Sequence, residues 1–112
     1  MSRIFHLARA ADWKAAGADA YDGSADDTRD GFLHFSTADQ IRESAAKHRR
    51  GETDLMLLAV DSDLLGDALK WEASRGGALF PHLYGPLPLQ AVIWARPLPL
   101  GDDGLHRFPD LD

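Results

Sequence analysis

The stretch Gly31-Phe32-Leu33-His34-Phe35-Ser36-Thr37 sets a histidine in the middle of an apolar run and passes directly to hydroxyl residues suited to starting a helix. A period of two puts Phe32, His34 and Ser36 on one face of a strand and Leu33 and Phe35 on the other. Thr37 is followed three residues on by Gln40, and Ser36 by Asp39, the spacing of a capping box. A helix is therefore expected over about 37–50, closed by Gly51, with Ile41, Ala45 and His48 on its inner side. It is the one main helix of the chain.

Upstream, Arg3 to Ala8 reads as a first strand, with Ile4, His6 and Ala8 on one face and Phe5 and Leu7 on the other. Ala10 to Ala16 is a short alanine-rich helix docked by Trp13. Gly17 to Asp30 is polar and glycine-bearing, which predicts a surface loop able to act as a lid. Downstream, the continuous apolar run Leu55 to Val60 is expected to be a central strand buried on both faces, followed by a helical turn around Gly66. Leu69 to Ala73 is a further strand with Trp71 and Glu72 on opposite faces, and Arg75-Gly76-Gly77 is a turn. Pro81 and Pro86 confine Phe80 to Gly85 to an edge or an irregular run, and Ala91 to Ala95 is the last strand. The chain thus reads as one α+β domain over 1–96, mainly antiparallel, with a surface tail over 97–112 held by Leu105 and Phe108.

A chain of 112 residues holds one core, and its 45% hydrophobic content lets it fold without the disulfides that its lack of cysteine forbids. No run approaches the length of a membrane span, and the first strand starts too early for a signal peptide, so a cytoplasmic protein is expected. A formal net charge of −6 argues against a large nucleic-acid footprint. The basic cluster Arg42, Lys47, Arg49 and Arg50 reads as a helix end complementing its dipole.

The five histidines divide by setting. His48 and His106 lie in polar segments beside arginines and are expected to face solvent. His6, His34 and His82 lie among apolar residues, where an unpaired ring costs about 1–3 kcal/mol. Three such rings in one small domain point to one shared cleft. Candidate catalytic residues are His34, Ser36, Glu72 and His82, with Glu72 suited to general-base work. Candidate ligand-binding residues are His6, Arg9, Thr37, Trp71, Arg75 and Tyr84, the two arginines being able to fork onto an anionic group. Each has a plain structural alternative: a satisfied core histidine, a helix cap, a surface arginine or a strand salt bridge. The histidines lie too far apart in sequence for a ligand spacing, so no metal is expected.

Ile4-Phe5-His6, Asp12-Trp13, the central stretch with Gln40, Leu69-Lys70-Trp71-Glu72 and Phe80-Pro81-His82-Leu83-Tyr84-Gly85-Pro86-Leu87 together resemble the bacterial family known as domain of unknown function 952. That resemblance implies an ADP-ribosylation-like fold, a split sheet whose two halves meet at a cleft that grips NAD or a related nucleotide. In that superfamily a polar residue on the first strand, often histidine, holds a ribose, which His6 matches. In the RNA 2′-phosphotransferase branch a histidine followed by an apolar residue and serine lies on the next strand, which His34 and Ser36 match. Thr37 stands where the RNA 2′-phosphotransferase pattern has arginine, and no glutamate lies between Gln90 and Ala95 where the toxin-like branch has one. The implied function is an NAD- or ADP-ribose-type transferase or nucleotide-processing enzyme, with NAD as substrate. The alternatives are a non-catalytic module for a small anionic ligand or a protein partner, and a metal-dependent hydrolase using the three histidines.

Overall fold

A computed structural model describes residues 2–74 and 77–111. The expected turn at Arg75 and Gly76 lies outside the described residues.

The first strand, β1 (Arg3–Arg9), pairs antiparallel with β4 (Leu55–Asp61), which pairs in turn with β8 (Val92–Leu98). Period-two alternation sends Ile4 and Ala8 of β1 and Leu58 and Val60 of β4 to one side, where they join Leu33, Phe35, Leu83 and Leu87. Phe5, Leu57 and Ala59 go to the other side and meet Ile41, Leu98 and Leu111. The unbroken apolar run in β4 is therefore explained by burial on both faces, as expected. Fully burying each large side chain of this kind contributes about 1.5–3 kcal/mol. The helix α3 (Ala38–His48) covers the second side through Ile41 and Ala45. Its start is fixed as anticipated: Gln40 Oε1 accepts the Thr37 backbone N–H at 3.0 Å.

A second antiparallel sheet has the order β3 (Leu33–His34), β6 (Leu79–Leu83), β5 (Leu69–Ala73). Phe5 and Ser36 exchange two backbone hydrogen bonds of 2.8 Å, so the two sheets meet along β1 and the residues after β3. An α+β architecture of mainly antiparallel sheets with few helices is the result. A small ladder of β2 (Ala20–Tyr21) and β7 (Leu87–Pro88) and the short helix α1 (Ala10–Lys14) complete that side. Trp13 docks α1 against the Tyr21 ring, centroids 5.5 Å apart.

Four expectations need correction. The 17–30 segment is not a bare loop: it contains β2 and a helix, α2 (Ala25–Asp30), begun by a Ser24–Asp27 capping box and ended by Gly31 at φ 84°. Regular strand pairing in the opening stretch covers Leu33–His34 only, because Ser36 leaves that ladder to bridge Phe5. The segment after Phe80 is neither edge nor irregular, since β6 is the middle strand of its sheet. Pro81 sits just past the end of the Leu33–His34 ladder with its carbonyl toward β3, accepting the Phe35 N–H at 3.0 Å, so its missing N–H interrupts no regular pairing within that ladder. Finally, His106 is buried, with its Nε2–H donated to the Glu52 carbonyl at 2.8 Å, and only His48 of the arginine-flanked pair is exposed. The tail folds back far enough that Leu98 and Leu111 are core residues.

Candidate functional site

In the β3–β6 ladder His34 stands directly opposite His82, and in the β6–β5 ladder His82 stands opposite Lys70. Residues directly opposite share a face. Alternation then places His34, His82, Lys70 and Glu72 on one side of the second sheet, and Leu33, Leu83, Pro81 and Trp71 on the other. The His34 and His82 rings lie edge to face with centroids 5.9 Å apart. Phe32 stacks on His82 at 4.1 Å and also touches His34 and Tyr84.

Glu72 Oε1 accepts from His82 Nδ1 at 2.8 Å and from the Tyr84 hydroxyl at 2.7 Å. A carboxylate can only accept, so Nδ1 of His82 carries a hydrogen, and in the neutral ring Nε2 is the acceptor. The bonds from Tyr84 and then His82 hold the Glu72 carboxyl below its ordinary range, and the same carboxylate pushes the Tyr84 phenol up.

His34 is held by two aspartates of α2, with Nδ1 2.7 Å from Asp27 and Nε2 2.9 Å from Asp30. An acceptor at each nitrogen favours the imidazolium form of the ring. The Asp27 hydrogen bond outweighs partial burial, and with Asp30 it raises the His34 pKa above 6.5. Asp27 is 4% exposed and also takes the Ser24 N–H, the Ser24 hydroxyl and the His34 N–H. Burial pushes its carboxyl up, but the His34 bond and the two backbone donors outweigh that and hold it well below the usual range.

His6 approaches the same network from behind. Its Nδ1–H donates to the His34 carbonyl at 2.6 Å, and Nε2 accepts the Tyr21 hydroxyl at 3.3 Å. Burial lowers the His6 pKa despite the Asp27 charge 3.9 Å away, so the ring stays neutral. Burial and then Asp27 push the Tyr21 phenol up.

The three apolar-flanked histidines are thus contiguous, but they do not line one cleft. His6 is 2% exposed and sealed inside the core, whereas His34 presents 44% of its side chain and His82 13%. The residues brought together are His34, Glu72, His82 and Tyr84, with His6 supporting from within. Ser36 is buried and joins through its backbone only, and Thr37 caps α3. Trp71 points to the opposite side of the sheet. Arg9 is exposed at the far end of β1, beside a hollow of about 450 Å³ bounded by residues 51–55. Arg75 lies outside the described residues. Asp27, Asp30 and Phe32 were missed by sequence reasoning; the Ser24-x-x-Asp27 spacing was the available signal for the first.

Fold and site define a small α+β domain built on a split antiparallel sheet, with a histidine pair on the open face of one half. The chain matches the family model "Protein of unknown function (DUF952)" over residues 7–95, and it belongs to that family. It is similar to protein CC0527 from Caulobacter crescentus. The crystal structure of that protein is 48% identical with a TM-score of 0.89, the match covering 95% of this chain and 94% of that one. The solution NMR structure of CC0527 is 49% identical with a TM-score of 0.81, covering 94% and 91%. No curated protein matches the chain. No described helix is long and apolar enough to cross a membrane.

Proposed function

We propose that the His34–His82 face is an acid–base site acting on a nucleotide-class ligand, with NAD and ADP-ribose as the leading candidates. The observation that carries this reading is the Glu72–His82 pair. A carboxylate fixes Nδ1–H and leaves Nε2 as an oriented base, next to an imidazolium. Tyr84 on the same carboxylate keeps that arrangement rigid. His82 takes a proton from a ligand hydroxyl, the His34 cation steadies the charge that develops, and Phe32 and Tyr84 offer rings for a base or nicotinamide. Two three-stranded sheets meeting at the Phe5–Ser36 bridge suit an ADP-ribosylation-like fold, which adds support for NAD. The face carries Asp30 and Glu72 beside its cations, so the ligand is engaged through ribose and ring more than through pyrophosphate.

A second reading, a non-catalytic binding module, is favoured by one fact: both nitrogens of His34 are already occupied by carboxylates. The metal-hydrolase alternative has no geometric support, since no three His, Asp or Glu side chains among the described residues are disposed to share an ion. Incubation with NAD and with ADP-ribose, followed by chromatography of the ligand, separates the readings. The enzyme reading expects product that His82→Gln and Glu72→Gln each reduce about 100-fold or more, the usual worth of a general base. Binding with ligand recovered unchanged contradicts catalysis and supports the module. Absence of binding at millimolar ligand removes the nucleotide class.

A further inference from the structure

The Phe5–Ser36 bridge joins the two sheets on their inner side, so β8 and β5 are the outer edges. They are finished differently. β8 carries Arg96 and Pro97, and proline is a common way to blunt an edge. β5 carries no proline and exposes Trp71 (47%), beside Leu79 (53%) of the neighbouring strand. Its backbone phase is set by two bonds to the β6 side, Tyr84 N–H to the Ala68 carbonyl and Ser74 N–H to the Ala78 carbonyl. Even-numbered residues of β5 therefore bond to β6, while Trp71 and Ala73 turn their N–H and C=O outward. The Leu69 N–H is used by the Gly66 carbonyl, but the Leu69 C=O also faces out.

We infer that β5 is an interface with a second copy of this chain, paired antiparallel about a two-fold axis through Trp71. Two independent features select that register. Centring on Trp71 sets Trp71 against its own copy and Leu69 against Ala73, which brings outward backbone groups together in about four new hydrogen bonds. A shift by one residue would set outward groups against inward ones. The same register places Lys70 opposite Glu72 of the partner subunit and Glu72 opposite Lys70 of the partner subunit, two ion pairs across a self-complementary edge. Lys70 and Glu72 lie on the histidine side of the sheet, so the partner delivers a cation to the Glu72–His82 pair. Trp71 and Leu79 meet their copies on the other side. An edge this short is at the small end of specific interfaces, so the dimer depends on concentration. This inference goes beyond the acid–base reading and stands without it.

The test is sedimentation of the full chain from about 1 μM to about 1 mM. The wild type is expected to dimerise. Lys70→Glu and Glu72→Lys each replace two attractions with two repulsions and weaken the dimer about tenfold or more, while the double exchange K70E/E72K recovers it. Far-UV circular dichroism checks that each variant is folded. A wild type monomeric throughout, a dimer indifferent to the single changes, or a double exchange that fails to recover it overturns the inference. The chain has no cysteine, so Trp71→Cys gives a second readout. Opposed Cα atoms about 5.5 Å apart permit a disulfide. Oxidation should yield a covalent dimer, and its absence counts against the register.

Discussion

The sealed end of the network, around His6 and Tyr21, and its open end, around His82, Glu72 and Tyr84, use the same groups in different surroundings. Each has an imidazole, a phenol and a neighbouring carboxylate. At the sealed end burial dominates: it keeps His6 neutral, pushes Tyr21 up, and permits an ionised Asp27 only because donors converge on it. At the open end hydrogen bonding dominates, and the carboxylate sets the ring's tautomer with little desolvation. The same groups are therefore sealed into the architecture on one side of His34 and presented to solvent on the other.

The sharpest way to break that contrast is to truncate each carboxylate. Asp27→Ala strands the buried Ser24 donors and the His34 backbone N–H, and takes one of two carboxylates from the half-exposed His34 ring. It should cost about 3 kcal/mol in urea unfolding, at about 1–3 kcal/mol for each buried donor left unpaired. Glu72→Ala should leave the unfolding midpoint almost unmoved. Equal losses would mean that the two ends are not different in kind.

A smaller effect is expected in the pH dependence of stability. The His6 pKa is lowered from 6.5 in the folded chain, so its contribution is whole above that value and is lost as pH falls below it. The His34 pKa is raised, so its contribution is whole below 6.5 and is lost as pH rises through the folded value. Asp27, held low, keeps its contribution until strongly acid pH. Urea midpoints measured from about pH 5 to about pH 9 should bend on both sides, and His34→Gln should remove the alkaline loss alone. An alkaline limb unchanged in that variant contradicts the assignment.

Smaller still is Tyr21→Phe, which removes one buried hydroxyl at 3.3 Å from His6 and should cost about 1 kcal/mol. At the open end the matching change is Glu72→Gln. The Tyr84 phenol should then titrate closer to 10.0, visible in its ultraviolet absorbance.

Much of the frame was legible because it rests on local patterns. Alternation in Ile4 to Ala8 gave the two faces of β1, the continuous run in β4 gave burial on both sides, and Thr37 with Gln40 marked the start of α3. The histidines stood out because apolar neighbours require a polar ring to find a partner. What escaped was decided by distant contacts. Asp26, Asp27 and Asp30 look alike in a polar segment, and only the turn of α2 over β3 selects Asp27 for burial. Pro81 reads as an edge signal, yet its carbonyl faces Phe35 in a middle strand. His106 lies between leucine and arginine, and its burial depends on the Glu52 carbonyl far along the chain. Trp71 resembles a ring for stacking a ligand, and the sheet register turns it away from the histidines.

The division between a sealed neutral ring and an open charged one is tested most directly by following the imidazole nitrogens of all five histidines by ¹⁵N NMR across pH. His34 should titrate above 6.5 with both nitrogens protonated below that point, and His6 should remain a neutral Nδ1–H tautomer to below 6.5. His82 in its neutral form should carry its hydrogen on Nδ1. His6 titrating above His34, or neutral His82 carrying its hydrogen on Nε2, would contradict the account.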